Sequence, residues 1–264
     1  MKKKPLMDIY TYNRKAWDRE VEKGNQWTQP VSRAVIAEAR QGRWQIILTP
    51  TKSVPPEWFP ALPGAEVLCL ASGGGQQGPV LAAAGANVTV LDASPRQLEQ
   101  DLSVAGRDGL TLQTVEGDMA DLAMFTDETF DLIVHPVSNC FAADVLKVWR
   151  EAFRVLRHGG SLLSGFANPV GYIFDHELGK QNILQVRYAL PYADDKDLTG
   201  AERREFLEAG VPFEFSHTLG EQIGGQIEAG FVIAGFYEDA YPPEAGDLLS
   251  RYLPPFLATR AIKL

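Results

Sequence analysis

The chain has 264 residues, 45% hydrophobic and 22% charged, with no polar low-complexity tract. That length and balance fit one α/β domain with extras, ordered beyond its first few residues. A formal net charge of -9 and an isoelectric point near 5.0 oppose a broad grip on phosphate backbones and so disfavour nucleic acid as substrate.

Lys2, Lys3 and Lys4 run into the polar Asp8, Tyr10 and Asn13 rather than an apolar core of signal-peptide length, and no stretch approaches a membrane span. Cys69 and Cys140 offer neither a disulfide framework nor a metal-ligand spacing. No metal is expected, and a reducing cytoplasm is the natural setting.

In chain order, residues 1–63 form a preface holding Tyr10, Tyr12, Trp17, Trp27, Trp44, Trp58 and Phe59. Tyr10, Asn13 and Trp17 are spaced to share one helical face. That face has two readings, an aromatic lid over a bound cofactor or an apolar stripe docked on the core. "PPEWFPALPG" (55–64) reads as a rigid connector anchored by Trp58 and Phe59. From residue 64 onward short apolar runs alternate with amphipathic ones, as in repeated βα units and a mostly parallel sheet.

Strands are expected at 66–70, 87–92, 110–117, 130–136 and 161–167. Between them helices are expected near 76–85, near 95–105 with Ser94 as N-cap and Pro95 at the first position, and near 142–157 ending at His158-Gly159-Gly160. Residues 168–217 read as an insertion of little periodicity. A helix at 218–230 and strands at 231–239 and 254–264 follow, the last one antiparallel because its short connection leaves no room for a crossover. The resulting fold class is α/β: a doubly wound, mostly parallel seven-stranded sheet with an antiparallel C-terminal strand and helices on both faces.

The stretch "VLCLASGGGQQG" ends an apolar strand in a glycine turn that opens into a helix, where unpaired amides gather anions. Gly73, Gly75 and Gly78 satisfy G-x-G-x-x-G, and Asp92 ends the next strand, where a carboxylate can accept ribose hydroxyls. The motif alone leaves a dinucleotide coenzyme and a methyl-donor adenosine equally open. The antiparallel finish and the lack of a dehydrogenase's catalytic pair favour the methyl donor.

Taken together, "VLCLASGGG", "VTVLDAS", "VEGDMADL", "FDLIVHP" and "EAFRVLRHGGSLLSGFANP" resemble the class I S-adenosylmethionine-dependent methyltransferases over residues 60–167. The resemblance implies S-adenosylmethionine as cofactor and S-adenosylhomocysteine as product. It assigns Ala71, Ser72, Gly73 and Gly75 to the methionine end, Asp92 to the ribose, and Ala93, Gln97, Gly117, Asp118 and Met119 to the adenine. His135 and Pro136 would stand beside the sulfonium. Two departures stand out. Cys69 occupies the place of the family's acidic residue, and Ala71 that of its first glycine, where alanine would keep a compact turn only with a negative φ.

Methyl transfer needs mainly proximity and alignment, with a base only for a protonated acceptor. His135 is the nearest candidate base, but a cofactor-contacting or core histidine with no proton role is the favoured reading of it, so the catalytic residues are left unassigned. Tyr12, Trp17 and His176 are candidate acceptor contacts, His176 equally a loop residue, while His158 and His217 read as helix-boundary residues. The expected partner is a small-molecule acceptor of unidentified nucleophile; a protein acceptor and the oligomeric state stay open. The alternatives are an NAD(P)-dependent oxidoreductase and a non-catalytic S-adenosylmethionine-binding protein.

Overall fold

The computed structural model describes residues 8–264, so the opening Lys2, Lys3 and Lys4 lie outside the described residues. Strand β1 (Glu66–Leu70) buries Val67, Leu68, Cys69 and Leu70 together. A strand apolar on both faces must lie between two covering layers. Val67 and Cys69 face one core with Ile36, Leu48, Trp58, Val80, Val90 and Leu98. Leu68 and Leu70 face the other, with Phe130, Val148, Trp149 and Leu162.

In chain order the elements begin with α1 (Ile9–Lys23) and α2 (Arg33–Ala39), then β1, α3 (Gln77–Ala83), β2 (Asn87–Asp92), α4 (Pro95–Asp108), β3 (Gln113–Glu116), β4 (Phe130–His135), α5 (Val145–Val155) and β5 (Leu156–Ala167). The insertion holds α6 (His176–Gly179), α7 (Asp194–Asp197) and α8 (Gly200–Ala209). A π-turn over Gly220–Gly224 leads into α9 (Gly225–Ala229), then β6 (Phe231–Asp239) and β7 (Phe256–Lys263). The seven strands order as β3-β2-β1-β4-β5-β7-β6, with β7 antiparallel to both its neighbours and every other pair parallel. This is the expected doubly wound sheet with an antiparallel C-terminal strand.

Local chemistry explains the boundaries. Ser94 Oγ accepts the Gln97 N–H at 3.1 Å and Pro95 opens α4, which Gly109 ends in the left-handed region. α4 therefore runs three residues past the expected 105, and β3 is confined to four residues. The expected helix over 142–157 stops at Val155. The chain is already extended at Leu156, paired with Phe130, and the glycines fall inside β5, where Gly159 takes a φ of +82° and Ser161 resumes pairing opposite Leu132. His158 is thus on a strand bulge, not at a helix end; its Nδ1 bonds the Leu264 carbonyl at 2.6 Å.

The preface packs closely on this frame. Leu48 is buried, and its carbonyl accepts the Val137 N–H at 2.9 Å. Trp58 packs against Tyr237 in a tilted pair with ring centroids 5.5 Å apart. The Trp58 ring fills the space that a side chain at Gly235 would need.

Candidate active site

The carboxyl ends of β1, β2, β3, β4 and β5 converge on a cavity of about 830 Å3, the position where open α/β sheets bind ligands. Its floor is the glycine turn after β1. The Gly73 N–H donates to Asp92 Oδ2 at 3.0 Å, and Asp92 Oδ1 accepts the Ser94 N–H at 2.9 Å. A Cβ at Gly73 would stand 2.7 Å from Gln97 Cβ, so only glycine leaves this wall open. Burial pushes the Asp92 carboxyl up to about 6. Each of its oxygens keeps a lone pair in reserve for a ligand hydroxyl.

Not all of the motif faces the cavity. Gly75 (φ +73°) points away from it; its carbonyl accepts the Val31 N–H at 2.9 Å, and a Cβ there would meet the Gln100 carbonyl oxygen at 3.0 Å. Gly78 is a packing glycine against Val90. Ala71 lines the cavity with a φ of +46°, contrary to the negative φ expected of an alanine there. The bond from its N–H to the Leu91 carbonyl, 2.8 Å, holds it in the left-handed region.

Ser72, Ala93, Gln97, Gly117, Asp118, Met119 and Pro136 all line the cavity. Gln97 Oε1 is buried without a partner among the described residues, an acceptor in want of an N–H on the side assigned to adenine. His135 does not line it. As the last residue of β4 it alternates to the opposite sheet face, fully buried, with Nδ1–H donating to the Leu70 carbonyl at 2.8 Å and the ring edge-on to Trp149. Burial pulls this imidazole down to about 4, so it is neutral at physiological pH.

Helix α1 forms the roof through Tyr10, Asn13 and Trp17. Asn13 is clasped to the insertion: its Oδ1 accepts the Phe213 N–H at 2.8 Å and its Nδ2 donates to the Phe213 carbonyl at 2.9 Å. Tyr12, on the other side of the helix, lies outside the cavity and donates its hydroxyl to the Val211 carbonyl at 2.9 Å. His176 lines the cavity beside Tyr188 and Tyr192. His217 is buried and pins the loop after β4 through the carbonyls of Asn139 and Ala142, at 3.2 and 2.9 Å.

Two carboxyl groups at or beside the cavity escape motif reading. Asp101, wholly buried in α4, shares the Gly74 N–H through Oδ2 at 3.0 Å while Oδ1 has no partner among the described residues. Its signal is the i, i+4 step from Gln97 toward the turn. Glu214 lines the far end of the cavity, between the buried Phe213 and Phe215; strand-like alternation there is the only hint.

An 830 Å3 cleft, a cradle that only glycine leaves open, a carboxylate with spare lone pairs and an orphan amide oxygen together fit an adenosyl donor. A family model described as "Methyltransferase domain" matches residues 68–164. A Bacillus subtilis (strain 168) protein, uncharacterized methyltransferase YbaJ, is 53% identical over 256 residues, spanning 97% of this chain and 99% of that one.

Among solved structures, an S-adenosylmethionine-dependent methyltransferase from Mesorhizobium loti superposes with a TM-score of 0.62 at 19% identity, over 78% of this chain and 94% of its own. The Burkholderia thailandensis 1,6-didemethyltoxoflavin-N1-methyltransferase, solved with 1,6-didemethyltoxoflavin and S-adenosylhomocysteine bound, superposes with a TM-score of 0.57 at 15% identity, over 99% and 92%. These two share the fold. The chain belongs to the class I S-adenosylmethionine-dependent methyltransferase family. Its cofactor is S-adenosylmethionine and its reaction is methyl transfer, so the oxidoreductase and the non-catalytic readings fall away.

The bound donor supplies a methyl group already activated by the sulfonium. What the chain can add is alignment and exclusion of water: the glycine turn lines the chamber on one side, and α1 and the Leu48 segment wall it on the other.

Proposed function

We propose that this methyltransferase acts on a small-molecule acceptor held in the same chamber as its donor. Ala71, Ser72, Gly73, Asp92, Ala93, Gln97, Gly117, Asp118, Met119 and Pro136 hold the donor in this reading. Trp17 and His176 contact the acceptor. The observation that carries it is one continuous cavity of about 830 Å3, from the glycine turn to Tyr172 and Glu214 under the roof of α1. That is the size of a small-molecule site and too narrow for a folded partner.

Residues 1–63 act as the cover and 64–264 as the methyltransferase body, with 168–217 shaping the acceptor end. His135, neutral and off the cavity, is not the base in this scheme; transfer proceeds by in-line proximity. Two buried free thiols, Cys69 and Cys140, support a reducing, cytoplasmic setting.

Isothermal titration of the wild type and Asp92→Ala with S-adenosylmethionine tests the donor side. The substitution weakens binding by about 1–3 kcal/mol, the scale of stranded hydrogen-bond partners. Equal affinity in both proteins would remove Asp92 from the site.

A further inference from the structure

Glu214 lines the chamber beside Tyr172, and the family resemblance gives it no part in holding the donor. Its main chain is fixed on both sides. The Glu214 N–H donates to Asp194 Oδ2 at 2.7 Å, the Asp194 N–H returns to the Glu214 carbonyl at 3.0 Å, and the Phe215 N–H donates to the Cys140 carbonyl at 2.7 Å. The side chain therefore stands beside the loop that follows β4.

Glu214 Oε2 accepts the Tyr172 hydroxyl at 2.6 Å. Oε1 has no protein partner among the described residues and is not sealed from solvent, so it looks into the cavity. Burial, with Asp194 adding to it, pushes the Glu214 carboxyl above the usual carboxylate range. A compensating positive charge is what such a group lacks.

Among the described residues, no Lys or Arg that lines the cavity is left without an acidic neighbour to provide that charge. Of the cationic side chains lining the cavity, Arg14 pairs with Glu116 at 2.7 Å, and the Lys147 ammonium lies 3.8 Å from Asp144. Five carboxylates line the chamber against these two cations. The same cavity is lined by the rings of Tyr172, which bonds Glu214 directly, and of Phe141, Trp17 and His176, and aromatic faces attract cations. An anionic acceptor would be set against a like charge in a medium of low dielectric.

We propose that Glu214, in a chamber lined also by the rings of Tyr172, Phe141, Trp17 and His176, anchors a cationic nitrogen of the acceptor, which is a small amine with an apolar body. The proposal rests on the methyltransferase reading of the same chamber. It is tested with three probes of one shape, phenethylamine, phenethyl alcohol and phenylacetate, titrated by calorimetry into the protein loaded with S-adenosylhomocysteine.

The amine binds about tenfold or more tightly than the alcohol and the carboxylate, as expected where a charged hydrogen bond is gained. Glu214→Gln abolishes that preference and leaves the S-adenosylhomocysteine affinity unchanged. Phenylacetate binding as well as the amine, no measurable binding of the amine, or a preference that survives Glu214→Gln would each overturn it. Should the variant fail to fold, seen as loss of S-adenosylhomocysteine binding, the wild-type ranking decides alone. Failure of the wild type to bind S-adenosylhomocysteine would instead strike the underlying reading.

Discussion

At single positions, the glycine turn works with residues that its motif would not select. Ala71 holds a left-handed backbone that costs an L residue roughly 1–2 kcal/mol, offset by its bond to Leu91 and its place in the cavity wall. Cys69 leaves the carboxyl end of β1 without a carboxylate, and Asp101 brings one to the same turn from α4. With burial pushing it up to about 8, Asp101 holds its proton in the folded protein at pH values where the unfolded chain has released it. Stability contributed by that proton is full below about 4 and lost as the pH rises toward 8. Asp101→Asn lacks the loss. Denaturant titrations of the two proteins from pH 4 to pH 8 should show the variant gaining relative to the wild type by up to about 1.4 kcal/mol per pH unit. A constant difference would mean that Asp101 is charged throughout. Asp92's place at the cavity was legible because it depends on strand-end position; Asp101's approach to the turn was not, because it depends on the rotation of a neighbouring helix.

Between elements, the paths of the strands were legible and their junctions were not. β1, β2 and β6 fall where continuous apolar runs place them. The α5–β5 junction was misread because His158-Gly159-Gly160 suits a helix C-terminus as well as a bulge, and only pairing with Phe130 decides between them. The preface gave no sign that Leu48 crosses β5 so closely that Gly165 is obligatory: a Cβ there would stand 2.8 Å from the Leu48 carbonyl carbon. Gly165→Ala should therefore cost about 1–3 kcal/mol of stability and, because Leu48 and Pro50 line the cavity, weaken S-adenosylhomocysteine binding as well. Chemical denaturation and calorimetry check the pair of effects. Loss of stability with intact affinity would uncouple the preface from the site.

For the molecule as a whole, the sheet topology fixes where five strand ends meet, and the doubly wound class followed from motif order. The acceptor end did not, being assembled by contacts distant in sequence: Asn13 to Phe213, Tyr172 to Glu214, Cys140 to Phe215. α1 is held at both ends of the chamber, since Asp18 Oδ1 also accepts the Ser94 hydroxyl at 2.7 Å. A ligand that fills the chamber should quiet this roof. Hydrogen exchange is expected to slow on adding S-adenosylhomocysteine in residues 9–23 together with 71–76, and protection of the turn alone would show that α1 takes no part in donor binding.

The lining charge carries a last consequence. The fresh donor enters with a positive sulfur, and giving up its methyl group leaves a neutral thioether. Walls in which carboxylates outnumber ammonium and guanidinium groups attract the first and are indifferent to the second, so the reaction loosens the hold on its own residue. Dissolved ions, by shielding those walls, would blunt the distinction and let the exhausted molecule compete.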